Sequence, residues 1–524
     1  MKYIYSIIKA DYLQRTRSYS FLITLAITIY AAYSFVPPPS ASYTTLNVVG
    51  YKGIYNSAWV GHVSAMMTTI MLSLYGFFLI NGGIKKDVDT GIGQIIATTP
   101  LSNFGYLLSK TLSNFLVLLT ITGITFMMSI VMFFVRTDGS SFVLTDFVLP
   151  YLFFALPALL FISSLAVVGE VFLGRKSILQ YVVFFFLFGV IMSNVVGHSG
   201  STAITFVDPF GVNAMTNSVK DKVNTQYHEH IEAVNLGFTF SAKHRFKTFV
   251  WDGISWTSIF LLSRLVWVCF AFAIVYFSSF FFHRFDFKQP VSKKKKEPAF
   301  SASSGISEFA KGINVALLPP VVADYSIFPF VKTELLLLIR KGSKWFWMIN
   351  GGAWISMLFV PLNVAHAYIL PVLLFLQVTR FSDIATKEIT NRLHYFTWSS
   401  YKPLQRMLPS QLLAGVILAV GLALPVMLRY AIISDFYTVL NLINGAVFVV
   451  LLSVGLGILS GGKKLFEILF FFITYCVIEK IPVADYIGSM QHNSHTGFIT
   501  TVLILNLFLA AISFGVRNYQ VRHL

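Results

Sequence analysis

The chain reads as long apolar windows set off by short polar stretches. A helix needs about 20 mainly apolar residues to cross a hydrocarbon core. Twelve windows of that kind follow one another: roughly Tyr19 to Val36, Val63 to Ile80, Leu112 to Val135, Phe147 to Phe172, Leu179 to Val196 and Trp256 to Phe282, then Lys344 to Pro361, Ala365 to Val378, Gln411 to Leu428, Phe436 to Leu459, Leu465 to Ile481 and Phe498 to Val516. The eighth is short, and the seventh contains "INGGAW". The pattern predicts an all-α polytopic membrane protein with about twelve transmembrane helices. No small-residue cleavage site follows the first window, which is therefore expected to be an uncleaved anchor.

Composition agrees. Of 524 residues, 56% are hydrophobic, 16% aromatic and only 12% charged, with a mean hydropathy of +0.72. Soluble domains carry charge on about a quarter of their residues. The two cysteines, Cys269 and Cys476, both lie inside apolar windows and form no disulfide framework.

Lysine and arginine set the expected orientation. Lys2, Lys9, Arg15 and Arg17, then Lys85, Lys86 and Lys110, then Arg175 and Lys176 all fall on one side if there are twelve spans, as do "HRFDFKQPVSKKKK", "GGKK" and the tail "RNYQVRHL". That side is read as cytoplasmic, with both termini inside, in the plasma membrane, specifically a bacterial inner membrane. The formal net charge of +17 then reflects positive-inside bias and attraction to lipid head groups. It gives no reason to expect nucleic acid as a partner.

Around a basic, serine-rich and proline-rich linker, residues 284–322, the chain repeats its order of elements. "IIKADYLQRTRSYSF" and "FVKTELLLLIRKGSKWF" place Lys9 against Lys332, Asp11 against Glu334 and Arg17 against Arg340 at one offset. A second offset sets Asp87 against Asp383 and Lys110 against Arg406. Residues 1–283 and 323–524 are accordingly read as a tandem repeat of two six-span units.

The largest polar interruption after the second window is "NGGIKKDVDTGIGQIIATTPLSNFGYLLSK", residues 81–110. With its acidic, glycine-containing run followed by "TPLS" and "YLLSK", and with an amphipathic basic segment ahead of the first window, each unit resembles the permease of an ABC-2-type (type II) ABC transporter. In the second copy "TPLS" has no clear counterpart around Phe396 to Ser399, and Gly91 is replaced near Lys387. The resemblance implies an exporter of a hydrophobic or amphipathic substrate. It also implies a cytosolic ABC ATPase dimer as partner, with ATP and magnesium bound there and no cofactor on this chain.

On that reading the interruption is a coupling surface. Asp87 and Asp89 would occupy a first helical turn, where the helix dipole favours negative charge, and Ile92, Ile95 and Ile96 would supply apolar contact. Lys86, Gly91 and Pro100 complete the first copy; Asp383, Lys387 and Glu388 are the candidates in the second. The plainer alternative is a solvated connector. The sequence carries no G-x-x-x-x-G-K-[ST] phosphate loop and no H-E-x-x-H signature, so any ATP-binding subunit is separate, and an enzyme or scaffold is the weakest class.

Two further groups of residues merit testing. The connection from Val196 to Trp256 is expected to cap the exit of the pathway, as the resemblance implies. Its His198, His228, His230 and His244, with His492 and His495 in the second copy, are candidates for a metal or pH-sensing site, but no acidic or cysteine cluster accompanies them. Glu170 and Arg264 are the candidate pathway charges; Glu170 is expected to pair with Arg175 or snorkel, and Arg264 to snorkel beside Trp256 and Trp267. A twelve-span secondary transporter of the major-facilitator kind, driven by an ion gradient, is the rival class. Scarce buried charge and the echoed interruption stand against it.

Overall fold

The computed structural model describes residues 2–38, 41, 43–48, 51–137, 139–174, 177–197, 202–228, 234–240, 247–283, 326–342, 344–478, 480, 484–490 and 496–523. The linker 284–322, Arg175, Lys176, and the histidines at 198, 230, 244, 492 and 495 lie outside them.

The first half of the chain begins with α1 (Lys2–Thr16) and α2 (Tyr19–Ser34), followed by strands β1 (Tyr43–Val48) and β2 (Tyr51–Gly53) and by α3 (Ser57–Ile80). Two short helices, α4 (Gly83–Asp89) and α5 (Ile92–Ala97), lead into α6 (Asn103–Arg136). Next come α7 (Thr145–Pro150), a π turn at Tyr151–Ala155 and α8 (Leu156–Leu173), then α9 (Ser177–Gly197), α10 (Thr202–Val207) and α11 (Val212–Tyr227). Strands β3 (Val234–Phe240) and β4 (Lys247–Phe249) precede α12 (Ser258–Phe281).

The second half is helical, with no strand among its described residues. It contains α13 (Phe328–Arg340), α14 (Lys344–Phe359), α15 (Leu362–Val364), a π turn at Ala365–Ile369, α16 (Leu370–Leu376), α17 (Val378–Phe381), α18 (Lys387–Thr390) and α19 (His394–Trp398). Four longer helices follow: α20 (Pro403–Ile432), α21 (Phe436–Ser460), α22 (Lys464–Ile478) and α23 (Thr496–Arg522).

Each of the twelve windows is helical over most of its described residues. Seven helical runs among the described residues are long and apolar enough to cross a membrane: 57–89, 103–136, 145–173, 258–281, 403–432, 436–460 and 497–522. The protein is a membrane-embedded helical bundle. Gly351 and Gly352 do not interrupt α14. The two π turns each end two residues before a proline, Pro157 and Pro371. A widened turn accommodates a ring that lacks an N–H and crowds the carbonyl four residues back.

The expectation of an all-α chain needs one correction. A four-stranded sheet, in the order β3-β1-β2-β4, joins the connection before α3 to the one before α12. β1 runs antiparallel to β3, with Tyr43 opposite Phe240 and Val48 opposite Val234, while β2 and β4 are parallel. Threonine, valine and tyrosine favour such strands, but pairing across about 190 residues leaves no local trace. Under the sheet, Trp59 meets Phe249 and Trp251 edge-on at 5.6 and 6.0 Å. A Cβ at Gly53 would come within 2.4 Å of the Trp59 ring, so only glycine fits there. This end of the bundle is the sheet end; the opposite end, where α3 gives way to α4, is the basic end.

The two halves meet along α3, α9, α16 and α22. Phe471 lies 3.8 Å from Phe78 between ring centroids and 5.5 and 5.4 Å from Phe185 and Phe375. Of the run Phe184 to Phe186, Phe184 packs inside, stacked on Phe77 at 3.8 Å, and only Phe186 is exposed.

Candidate functional site at the basic end

Residues 81–110 fold as two short helices and the first turns of a third. Gly82, at φ +94°, turns the chain out of α3, and Gly91, at φ +74°, breaks α4 from α5. Both need the left-handed region that glycine adopts freely. Ser102 restarts the chain as a helix, its Oγ accepting the Gly105 N–H at 3.0 Å. The segment is therefore built by its own sequence, except at its start.

That start is held by Glu170. Its Oε1 accepts the Gly82 and Gly83 amides, both at 2.9 Å, and its Oε2 accepts those of Ile84 and Lys85 at 2.8 and 3.0 Å. One carboxylate thus satisfies four consecutive amides at a helix N-terminus, where the partial positive charge also favours it. Glu170, expected as a pathway charge, is a positioning residue for α4. Its expected partner Arg175 lies outside the described residues.

The aspartates also require correction. α4 has no acidic residue in its first turn; Asp87 is its fifth residue and Asp89 its last. Asp87 is buried, accepts the Tyr106 hydroxyl at 2.7 Å, and pairs with Lys110 at 2.7 Å. Lys110 also pairs with Asp11 of α1 at 2.7 Å. The residue expected to dock a partner instead ties α1, α4 and α6 together, because a buried carboxylate is tolerated only when paired and hydrogen-bonded. Lys86, Asp89 and Pro100 are exposed, and Ile96 is half-buried against the cluster around Ile84 and Tyr106.

Two apolar pairs also stand on the surface. Ile92 and Ile95, three residues apart on α5, are 43% and 68% exposed; Leu393 and Phe396, also three apart, are 50% and 78% exposed at α19. Each pair lies just ahead of a long helix, α6 or α20, that begins near a Pro-Leu step: Pro100-Leu101 in the first copy and Pro403-Leu404 in the second. This second Pro-Leu lies further along than the region around Phe396 to Ser399 where no counterpart to "TPLS" was found.

The second segment is anchored differently. Asp383 pairs with Lys341 and Lys463, and Lys387 pairs with Glu334 of α13. Glu388 is buried and accepts the Gln411 amide at 2.6 Å, and burial raises its pKa. Arg380 donates to the carbonyls of Leu338 (2.9 Å) and Lys341 at the end of α13. Asp11 and Glu334, matched in sequence, therefore both pin a leading helix to the bundle, although through different lysines.

At the sheet end Arg264 is buried rather than snorkelling. It donates to the Pro209 carbonyl at 3.0 Å and to those of Asp208 and Thr205, and so fastens the turn ahead of α11. Asp208 in that turn accepts the amides of Phe210, Gly211 and Asn213 at 3.0, 2.9 and 2.8 Å. In the second half Asp485 does the same for Ile487, Ser489 and Met490 at 3.3, 3.1 and 3.0 Å. The signal was legible as Asp208-Pro-Phe-Gly211 and Asp485-Tyr-Ile-Gly488, both glycines at positive φ.

Two buried histidines escaped the sequence reading: His366 sits inside a predicted window, and His62 one residue ahead of one. His62 donates from Nδ1 to the Ala58 carbonyl at 2.8 Å, so its Nε2 is the acceptor facing the Ile254 amide at 3.5 Å. His366 has the opposite tautomer: Nε2 donates to the Ile487 carbonyl at 3.1 Å and Nδ1 accepts from Tyr430 at 3.0 Å. Each joins an early helix of its half to the connection before the last helix. Of the loop histidines only His228 is described, at φ +52° at the end of α11, and no group of metal-ligating residues occurs among the described residues.

Comparison with family models, with curated proteins and with solved structures returns no match to this chain.

Proposed function

We propose that this chain is the membrane-spanning permease subunit of an ABC-2-type exporter, with two six-span units fused in tandem and ATP hydrolysed by a separate cytosolic subunit. The observation that carries this is the pair of exposed apolar steps, Ile92 with Ile95 and Leu393 with Phe396, at one end of the bundle. Apolar side chains standing out from a basic end suit burial in a partner better than a water-facing loop. Behind the first step, Glu170, Asp87 and Lys110 tie α4 into the bundle, so a push on α5 would reach α3 and α6 through bonded atoms. The same order of elements, the matched Asp208 and Asp485 turns and the histidine ties support two related units.

The basic end is read as cytoplasmic, in the plasma membrane of a bacterium, with both termini there. The buried charges Glu170 and Arg264 are spent on backbone amides and carbonyls, which favours ATP over an ion gradient as the driving force. An apolar groove between α2, α3 and α22 suits a hydrophobic or amphipathic substrate.

The test is co-purification of a cytosolic ATPase with the chain in mild detergent. Wild type is expected to retain it, and Ile92→Asp with Ile95→Asp to lose it while still inserting and keeping its thermal transition. Retention by the double variant, or transport in vesicles driven by a proton gradient alone, would overturn the reading.

A further inference from the structure

A chamber of about 240 Å³ opens at the basic end between α1, α2, α3, α4 and α22. Arg15, Lys86 and Lys464 line it together with Asp11 and Asp87. Both carboxylates are already paired with Lys110. Counting Lys110, Glu170 behind the α4 amides, and Glu467 and Lys85 near Lys464, cations outnumber carboxylates five to four. The Lys86 ammonium, on the chamber wall, has no hydrogen bond or ion pair among the described residues. Asn81, buried in the chamber wall, has an Oδ1 that accepts no hydrogen bond among the described residues.

The chamber lies close to the apolar groove along the helices. On three helices the lining passes from one to the other within a turn: Phe21 to Thr24 on α2, Leu79 to Tyr75 on α3, Lys464 to Leu465 on α22. The groove wall is almost wholly hydrocarbon; of its hydroxyls, Thr28 and Tyr75 bond each other at 2.7 Å. Here a cationic, hydrogen-bonding compartment sits at the mouth of an apolar slot between the two halves.

We propose that this compartment binds one anionic phospholipid, its phosphate head group between Arg15, Lys86 and Lys464 and an acyl chain along α2, α3 and α22. Asn81 Oδ1 suits a head-group hydroxyl. That this lipid is the substrate class rests on the transport reading; the binding site does not.

The experiment uses the full chain reconstituted in vesicles with acyl-chain spin-labelled phosphatidylglycerol or phosphatidylcholine, reading the immobilised fraction. Wild type is expected to hold phosphatidylglycerol about five-fold over phosphatidylcholine, the worth of one basic residue at a lipid head group. Lys86→Gln removes a charge that the fold does not use and is expected to bring the ratio near unity. Ile27→Trp, at a half-exposed groove position, is expected to remove the immobilised component for both lipids. Equal retention of the two lipids by wild type, or an unchanged preference in both variants, would overturn the proposal. Full competition by inorganic phosphate would also overturn it, by showing a free-anion site. The readout needs neither ATP nor a partner, so failure to co-purify an ATPase with lipid preference intact removes the transport reading and leaves the site.

Discussion

Lys464, in the second half of the chain, donates to the carbonyl of Asn81 in the first half at 2.8 Å, where α3 ends. Its ammonium also reaches the Phe78 carbonyl at 3.3 Å and the Tyr181 hydroxyl at 3.0 Å, and that hydroxyl donates onward to Glu467 at 3.0 Å. A cation on the last carbonyls of a helix is favoured by the helix dipole. One side chain thus fixes the spacing of the halves at the root of the 81–110 segment. Lys464→Met keeps the stem and removes the donors. It is expected to cost about 1.5–3 kcal/mol, the range for hydrogen bonds to a charged group, seen as a lowered Tm of the purified protein.

Glu170→Gln tests whether one carboxylate holds α4. Glutamine offers a single acceptor oxygen, and its amide hydrogens would face the Ile84 and Lys85 amides. The expected loss is about 1–3 kcal/mol of local stability. Hydrogen–deuterium exchange should rise at amides 82–85 before it rises elsewhere in α3 or α6, and unchanged protection there would show that α4 stands without its cap.

The two apolar steps are not equally placed. Ile92 and Ile95 stand on α5, directly after the α4 that Asp87 ties to the bundle, whereas Leu393 and Phe396 follow a series of turns around Glu388 and Arg392. Leu393→Ser with Phe396→Ser is therefore expected to weaken ATPase association less than the same change at Ile92 and Ile95. Co-purified ATPase per chain measures this, and a larger loss from the second pair would reverse the assignment of force.

How much of this was written in the sequence differs by element. The helices were legible because hydrocarbon must be met by about 20 apolar residues in a row, and Gly91, Pro100 and Ser102 mark the breaks within 81–110 by local chemistry. What escaped depends on distant partners. Glu170 caps amides more than 80 positions earlier, β1 pairs with β3 across the whole first half, and Asp87 looked like a surface charge until Lys110 and Tyr106 were brought beside it. Buried His62 and His366 were hidden by their apolar neighbours.

The turns at Asp208 and Asp485 give a test of the repeat at the sheet end. Each carboxylate accepts three backbone amides. Asp485→Ala and Asp208→Ala should each leave buried amides unpaired, at about 1–3 kcal/mol. Limited proteolysis is expected to open the connection before α23 in the first variant and the one before α12 in the second, with the other half protected.

Glu388 supplies the pH dependence. Burial raises its pKa above the ordinary 4.5, while Lys387 and Arg517 pull it partly back. Its Oε1 accepts the Gln411 amide, and its buried Oε2 accepts no hydrogen bond among the described residues, so a proton relieves the less satisfied atom. A carboxyl whose folded pKa lies above its unfolded value binds more protons when folded. Its favourable contribution is complete below the unfolded value and is lost as pH rises through the folded one. Tm should therefore fall with rising pH across the interval that begins at the ordinary glutamate value. Glu388→Gln keeps an oxygen for Gln411 and fixes the neutral form, and is expected to raise Tm at neutral pH and flatten that slope. A slope unchanged in the variant would assign the pH response to another group.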